Sequence, residues 1–137
     1  MENTSFEKEI YAAAVSLIER RYPKGWGGAA AVRLETGEII TSVSPDTELD
    51  VLSVCMELGG FLEAHKQDVP VTHSLCVFRE SEDAPFTILS PCGVCQERLR
   101  FWGVNVLVAV TNSSNELLFR PLSDLQHHHW SAAFNKD

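Results

Sequence analysis

The chain of 137 residues lacks any apolar run long enough to cross a membrane, and its start, Met1-Glu-Asn-Thr4, lacks the basic and apolar regions of a signal peptide. It also lacks linkers and internal repeats, while 45% apolar residues suffice for a sizeable core. These absences predict a single globular domain over residues 1–137 that stays in the cytoplasm and does not associate with a membrane.

Basic residues are scarce. The chain has 11 Lys and Arg against 19 Asp and Glu, which gives a net charge of −8. An acidic protein repels a phosphate backbone unless its basic residues cluster, and only Arg98 and Arg100 lie close together near the cysteine motifs. The composition therefore argues against a nucleic-acid partner and favours a small-molecule ligand.

Cysteine is also sparse, but three of the four cysteines stand in two short motifs. Cys55-Met-Glu57 is followed by Pro91-Cys-Gly-Val-Cys95, without the second Cys pair that a zinc ribbon needs. Zinc takes four ligands, and a catalytic site supplies three from protein so that water can occupy the fourth position. Cys55, Cys92 and Cys95 therefore predict a catalytic zinc. Free thiolates suit a reducing compartment better than a disulfide framework does.

Glu57, two residues after the first cysteine, is the candidate catalytic residue. Zinc lowers the pKa of bound water, and a neighbouring carboxylate can take the released proton and return it. A Cys, then Glu, then Pro-Cys-x-x-Cys resembles the signature of zinc deaminases. In such an enzyme, if the attack falls on C4 of a cytosine ring, Glu57 can protonate N3 and then the departing amine. The products would be a uracil compound and ammonia.

Other interpretations of the cysteines and histidines remain open. A lone Cys-x-x-Cys also suits a redox pair or half of a structural zinc site, although neither explains Cys55 and Glu57 upstream. Cys76, in an apolar run, is expected to be a small buried strand residue. Consecutive histidines rarely converge on one ion, and no spacing recommends the isolated ones. We therefore expect a solvated or interface stretch rather than metal ligands at His127, His128 and His129, and no zinc contact from His65 or His73.

Hydrophobic periodicity predicts helices alternating with strands. Thr4 and Glu7 make a capping box for a first helix, whose apolar face comprises Phe6, Ile10, Ala13, Ala14 and Leu17 and which ends near Arg21. The remaining predictions are strands 29–34 and 39–43 around a turn at 35–38, a helix over 55–64, a strand over 74–78, a helix over 91–102, strands 105–111 and 116–119, and a final helix from about 123. The pattern indicates an α/β fold with a helix-flanked mixed sheet.

The cysteines at the predicted helix starts, Cys55, Cys92 and Cys95, should have lowered pKa values.

In Cys55-Met-Glu57, in the segment Thr87-Ile-Leu-Ser-Pro-Cys-Gly-Val-Cys95 and in the entry region 22–32, the chain resembles the cytidine deaminase superfamily. The similarity is to the free-nucleoside cytidine deaminases and the blasticidin S deaminases, whose first zinc ligand is Cys. It implies a three-layer α/β/α fold with a five-stranded mixed sheet, zinc between two helix starts, and a homo-oligomer, tetramer or dimer, with shared active sites. The implied reaction is hydrolytic deamination of a free cytosine nucleoside, as in pyrimidine salvage.

Several positions depart from the family pattern. Where cytidine deaminases carry Asn-x-Glu to hold the ribose hydroxyl, this chain has Ser44-Pro-Asp46. Ser44 and Asp46 can also bind a hydroxyl, although their side chains are shorter than those of Asn and Glu. The alternative is that the segment is a Pro turn. Leu58 stands where cytidine deaminases place an Arg that relieves the charge of the thiolates, whereas blasticidin S deaminases also have Leu there. Arg98 is a hypothetical substitute for that Arg.

Substrate contacts are implied by the same resemblance. Backbone groups of Met56, Ser90 and Pro91 match those that meet the pyrimidine in the family, and Trp26 and Phe86 are candidates for aromatic stacking or, equally, for the core. Exposed Trp102, Trp130 or Phe134 could serve an interface between subunits or lie in the core. Two alternatives to a cytosine nucleoside deaminase remain: a deaminase of a modified aminated nucleoside such as blasticidin S, or of another heterocycle, and a noncatalytic zinc-stabilised binding protein. Glu57 argues against the latter.

Overall fold

The computed structural model of the protein describes residues 3–134. Its helices are α1 (Ser5–Arg21), α2 (Leu58–Gln67) and α3 (Gly93–Arg100), and its strands are β1 (Gly27–Leu34), β2 (Ile39–Ser42), β3 (Val71–Arg79), β4 (Thr87–Leu89), β5 (Leu107–Ala109) and β6 (Phe119–Pro121). Short 3-10 turns occupy Asp50–Leu52, Leu122–Leu125 and Trp130–Ala133. None of the helices within residues 3–134 has the length and apolarity that a membrane span requires.

The strands form one mixed sheet in the order β2-β1-β3-β5-β6, with β4 paired to β3 as well. One edge of β3 pairs with β1 along its length, so β4 and β5 share the opposite edge. Strand β5 runs parallel to β3 at His73 and Ser74, while β4 runs antiparallel from Cys76 to Phe78. The sheet thus has six strands and not the expected five. Strand β4 was not predicted, because its three residues are held in place by pairing with β3 and show no strand periodicity of their own.

Helices cover both faces of the sheet, which confirms the three-layer α/β/α fold. Helix α1 packs on one face, where the core comprises Ile10, Ala14, Ile18, Ala29, Ala31, Leu75, Val77, Ile88, Ala109 and Phe119. Helices α2 and α3 pack on the other, where it comprises Val32, Leu34, Phe61, Ala64, Val71, Cys95, Leu99, Val106, Val108 and Leu122. Alternation along each strand sends successive side chains to opposite faces.

Helix α1 matches its prediction closely. The Thr4 hydroxyl accepts from the Glu7 amide and the Glu7 carboxylate accepts from the Thr4 amide, so the capping box is present, and the helix ends at Arg21. Its buried face differs from the prediction: Ile10 and Ala14 are buried as expected, but Ala13 and Leu17 are only half-buried. Phe6 is exposed and lies under the guanidinium of Arg33, 4.2 Å from the ring centroid, while Ile18 is fully buried.

Helices α2 and α3 both begin later than predicted. The helix predicted from Cys55 starts at Leu58, because Cys55 is irregular and the next two residues form a turn in which the Leu58 amide donates to the Cys55 carbonyl. It continues past Ala64 to Gln67, where Asp68 adopts a left-handed φ of 56°. Cys92 is the N-cap of α3, which ends at Arg100.

The predicted C-terminal helix from about residue 123 is wrong. The structure has two 3-10 turns there, separated by Gln126 in a non-helical conformation with φ −132° and ψ 46°. Side-chain contacts with α3 explain the extended path: the Arg100 guanidinium donates to Gln126 Oε1 at 2.8 Å and to Ser131 Oγ at 2.9 Å. Tertiary contacts override local helical periodicity in this segment.

Close packing of α2 on β1 supplies a test of the fold. A Cβ built on Gly60 would lie 2.7 Å from Val32 Cγ2, so we expect Gly60→Ala to lower the free energy of unfolding by about 1–3 kcal/mol through overpacking. The matched control is Gly93→Ala, since nothing lies within 4 Å of a Cβ built there; it should be neutral or stabilise by up to about 1 kcal/mol. Urea unfolding of metal-free, reduced protein measures both. Equal stabilities of the two variants would contradict this packing.

Candidate active site

The sulfurs of Cys55, Cys92 and Cys95 converge where the turn before α2 meets the start of α3. All three lie within 4.8 Å of one another, and the Cys55 and Cys92 sulfurs are 3.3 Å apart. Within residues 3–134, this is the single group of three or more His, Cys, Asp or Glu side chains close enough to hold one ion. Tetrahedral zinc with Zn–S bonds of about 2.3 Å separates its sulfurs by about 3.8 Å, so the spacing fits zinc. Soft thiolate donors suit the same metal.

The three thiols differ in burial and in acidity. Burial raises the pKa of Cys95 and of Cys55, and nearby thiols or carboxylate add to the effect. Burial also opposes ionisation of Cys92, but hydrogen bonds from the backbone amide of Cys95, from the neighbouring thiols and from the amide of Val94 leave its pKa lowered. The predicted lowering at helix starts therefore holds for Cys92 alone, because Cys55 precedes α2 by three residues and Cys95 is fully buried. A bound cation would be needed to hold all three as thiolates.

The Glu57 carboxylate faces the sulfur cluster from the N-cap of α2. Glu57 is only 4% exposed, and burial raises the pKa of its carboxyl. A hydrogen bond with its own backbone amide, the Cys95 thiol and the positive charge of Arg98 act in the opposite direction but do not cancel the rise. A buried carboxyl with a raised pKa beside a metal-binding cluster has the properties of a general acid and base.

Arg98 supplies positive charge to this cluster from the next turn of α3. Its Nη1 lies 3.8 Å from Cys95 Sγ, within hydrogen-bonding reach of a sulfur, and its charge also acts on Glu57. Leu58, at the position of the family's Arg, has an apolar side chain and cannot do this. The structure therefore places a cation beside the thiols from a different element.

An inner cavity of about 280 Å³ opens beside the sulfurs. Besides Cys55 and Cys92, its lining includes Trp26, Ser44, Met56, Glu57, Cys76 and Ser90. A second, outer cavity of about 490 Å³ shares Trp26 and Ser44 with it and is also lined by Tyr22, Pro45, Asp46 and Ser53. The two cavities adjoin at Trp26 and Ser44 and form one cleft, in which Cys55, Cys92 and Glu57 line the inner cavity.

The sequence-predicted substrate residues fall into different parts of this cleft. Trp26, Ser44, Met56 and Ser90 line the inner cavity, and Asp46 lines only the outer one. The Ser44 hydroxyl already accepts from the Val54 amide at 3.3 Å, which ties the segment before Cys55 to the end of the β-hairpin. Trp26 is 53% exposed and stacks on Phe78, with the ring centroids 6.3 Å apart. An indole held in this way can present one face to a ligand.

Two expected substrate residues lie elsewhere. Phe86 packs against the core on the α1 side of the sheet, with the Arg79 guanidinium 5.1 Å from its ring centroid, so it is a core residue as the alternative allowed. Pro91 is buried, and its carbonyl accepts from Gln96 Nε2 at 3.0 Å. Of the three aromatic residues considered for a subunit interface, Trp102 is half-buried and packs beside Phe61. Trp130 and Phe134 are exposed.

Several residues that support the site gave no clear signal in the sequence. Ser42 Oγ donates to the Met56 carbonyl at 2.6 Å and accepts from the Gly60 amide, which fixes the turn that carries Glu57. Thr111 exchanges two hydrogen bonds with Ser90, at 2.8 and 3.0 Å. Both are isolated small polar residues, and only tertiary pairing reveals their role. Cys76 is buried as predicted, yet it also lines the inner cavity.

The histidines are engaged away from the sulfurs. His129 pairs with Glu97 at 2.6 Å and with Ser131 at 2.8 Å, and His73 contacts the Thr72 hydroxyl at 2.8 Å. The His65 ring lies 4.7 Å from both Phe101 and Trp102. His127 and His128 are exposed and line a separate cavity with Glu97 and Gly93. The exposure of His127 and His128 agrees with the predicted solvated or interface stretch, whereas His129 is half-buried and paired with Glu97 and Ser131.

The position of Arg98 predicts how metal affinity depends on charge. We expect Arg98→Gln to weaken metal binding about tenfold, because it removes the cation that faces the Cys95 sulfur. Arg98→Lys should restore part of the loss. The matched control is Arg100→Gln, on the same helix but directed at Gln126 and Ser131. Titration of metal-free protein with Co²⁺, followed by thiolate charge-transfer absorbance, measures the affinities. If the wild type and Arg98→Gln bind Co²⁺ with equal affinity, Arg98 is a helix residue with no part in metal binding.

Comparison with known proteins places this geometry in context. The fold superposes on a crystal structure of the cytidine deaminase from Bacillus anthracis with a TM-score of 0.92 and 50% sequence identity, covering 95% of this chain and 93% of that one. It also superposes on cytidine deaminase from Mycobacterium tuberculosis with a TM-score of 0.66 and 18% identity, covering 93% and 98% of the two chains, which shows similarity of fold alone.

A curated relative and the family models add two further findings. The chain is 28% identical over 88 residues to blasticidin-S deaminase from Bacillus cereus, a match that covers 59% of this chain and 61% of that protein. No protein-family model matches the chain. The similarity to the Bacillus anthracis enzyme is nevertheless high in sequence and nearly complete in length. By that relationship, with the three clustered cysteines to support it, the chain belongs to the cytidine deaminase family.

Proposed function

We propose that the protein is a zinc-dependent hydrolytic deaminase of a free cytosine nucleoside. The observation that carries this proposal is the convergence of three thiols with the buried Glu57 carboxyl at the wall of a solvent-accessible cavity. A structural zinc site has no use for that carboxyl or for an adjoining cleft. The half-identical relative named as a cytidine deaminase supports the same reaction class.

Cys55, Cys92 and Cys95 would hold the zinc, which when bound supplies a Lewis acid that lowers the pKa of water. Glu57 then moves the protons. Its carboxylate accepts a proton from the attacking water and passes it to N3 of the ring. It then takes the second proton from the new hydroxyl on C4 and gives it to the exocyclic amine, which leaves as ammonia while C4 becomes a carbonyl. Burial of Glu57 favours this role because the low-polarity surroundings bring the energies of its protonated and ionised forms closer together.

The cleft suggests how a nucleoside would lie. A pyrimidine ring fits the inner cavity with its reacting edge towards the thiols and Glu57, and the sugar would extend past Trp26 and Ser44 into the outer cavity. Asp46 can accept a hydrogen bond from a sugar hydroxyl there. Ser90, fixed by its two hydrogen bonds with Thr111, would offer its backbone carbonyl to the ring, since its amide donates to Thr111.

A second candidate, deamination of a modified aminated nucleoside such as blasticidin S, rests on two observations. The curated relative is named as a blasticidin-S deaminase. In addition, the outer cavity is larger than the inner one, at about 490 against 280 Å³, and it is lined by Asp46 where the family's longer Glu would stand. A substituent larger or more basic than ribose would occupy that space.

Assembly and location belong to the same proposal. Two aromatic side chains near the end of the described residues, Trp130 and Phe134, are 69% and 76% exposed, and Val51 is 86% exposed. Exposed apolar side chains of this size favour a homo-oligomer. The free thiols of the site would persist in a reducing compartment, so we place the protein in the cytoplasm.

The substrate proposal is tested with a panel of cytidine, deoxycytidine, cytosine, blasticidin S, adenosine and guanine. We expect zinc-loaded protein to release ammonia from cytidine or deoxycytidine, with loss of ultraviolet absorbance. Turnover of blasticidin S alone would favour the second candidate and assign specificity to Ser44 and Asp46.

Glu57→Gln provides the matched control for that panel. It should bind the same amount of zinc as the wild type and lose at least about 100-fold in turnover, because it keeps the shape of the side chain but cannot carry a proton. Two results would contradict the proposed mechanism. One is that the zinc-loaded wild type turns over none of the compounds in the panel, and the other is that Glu57→Gln keeps full activity.

A further inference from the structure

Cys76 occupies the floor of the inner cavity. It lies in the middle of β3, directly opposite Ala30 of β1 on one side and Leu89 of β4 on the other. Directly opposed residues of antiparallel strands point to the same face of a sheet. Ala30 and Cys76 are almost fully buried, and Cys76 and Leu89 line the cavity together with Glu57. The floor beneath the site is therefore made by short or flexible side chains.

The side walls of the inner cavity, formed by Met56 and Trp26, pack closely on the neighbouring part of the sheet. One register pair further along the same face, Gly28 lies opposite Phe78. A Cβ on Gly28 would come within 2.7 Å of Met56 Sδ and 2.9 Å of Trp26 Cη2, so both side chains rest directly on the strand. Trp26 in turn stacks on Phe78. The side walls are thus held by close contacts, and the depth of the cavity depends on the residue at position 76.

We propose that Cys76 is a specificity-determining residue that limits the size of the ring substituent next to the reacting carbon of the substrate. This inference rests on the proposed function for the orientation of the ring. The reacting edge must face the sulfurs and Glu57 near the bottom of the cleft. Glu57 serves the ring nitrogen on one side of the reacting carbon, and the proposal places the other side, with C5 of a cytosine, against Cys76 in the same cavity.

Side-chain size at position 76 should then set the discrimination between C5-substituted and unsubstituted nucleosides. A single methyl group accepted or rejected by an apolar pocket changes kcat/KM by about tenfold or more. Cys76→Ala deepens the floor and Cys76→Val fills it with a branched side chain that β-strands accept well. Cys76→Ser is the matched control, because it keeps the size of the side chain while it changes the polarity.

The test compares kcat/KM for 5-methylcytidine and cytidine in the zinc-loaded wild type and the three variants. We expect the ratio to rise about tenfold in Cys76→Ala, to fall about tenfold in Cys76→Val and to stay unchanged in Cys76→Ser. Unfolding curves check that each variant is folded. A ratio that is the same in Cys76→Ala and Cys76→Val overturns the inference, as does a ratio that changes most in Cys76→Ser, since that would make polarity and not size the determinant.

A second measurement separates this inference from the proposed reaction. Equilibrium binding of uridine, 5-methyluridine and 5-bromouridine by calorimetry needs no turnover. If the wild type deaminates no cytosine nucleoside, the proposed function fails; the inference about Cys76 still stands if the variants shift the order of these affinities as predicted. The inference about Cys76 is wrong if the variants leave the order of the three affinities unchanged, or if none of the three uridines binds.

Discussion

The shared edge of β3 is the constraint on which the site depends. Strand β5 pairs with the first part of that edge, at His73 and Ser74, and β4 with the later part, from Cys76. Because two different strands use one edge, the chain leaves β4 directly above the centre of the sheet and starts α3 there. Cys92 and Cys95 consequently meet Cys55, which arrives from the β2 side. Crevices where neighbouring strands diverge are common ligand sites in α/β sheets.

The balance of charge is the second constraint on the site. Two of the three thiols and the carboxyl are at least partly buried, and ionising them together without a cation would be costly. Burial accordingly raises the pKa of Glu57, Cys55 and Cys95. Arg98 offsets part of that cost from α3, and the amides at the start of α3 favour the ionised form of Cys92. In a chain with a net charge of −8, this local positive charge is specific to the site.

Much of the fold and the centre of the site follow from local sequence. The capping box of Thr4 and Glu7 and the clustering of the three cysteines were correct because each depends on short-range chemistry or on ligand counting. The start of α2, strand β4 and the C-terminal 3-10 turns were not predicted. Each is fixed by partners far along the chain: Ser42 for the turn before α2, β3 for β4, and Arg100 for the C-terminal turns.

The limits of sequence reasoning are clearest for Cys76 and Phe86. Both stand in apolar surroundings, and periodicity assigns both to a core without saying which face of the sheet each one occupies. Tertiary packing decides it: pairing of β3 turns Cys76 to the face of the cleft, while Phe86, which precedes β4, packs beside α1. A one-residue change in the register of β3 would turn Cys76 to the α1 side of the sheet. Such a distinction requires the paired strands and not the single sequence.

The central claim, that three thiols form an open catalytic metal site, is tested most directly by zinc K-edge X-ray absorption on protein loaded with one zinc per chain. The account predicts three sulfur neighbours at about 2.3 Å and one nitrogen or oxygen neighbour, since a catalytic site keeps one position for water. Four sulfur neighbours, with Cys76 recruited from the cavity floor, would mean a closed structural site and would contradict the account.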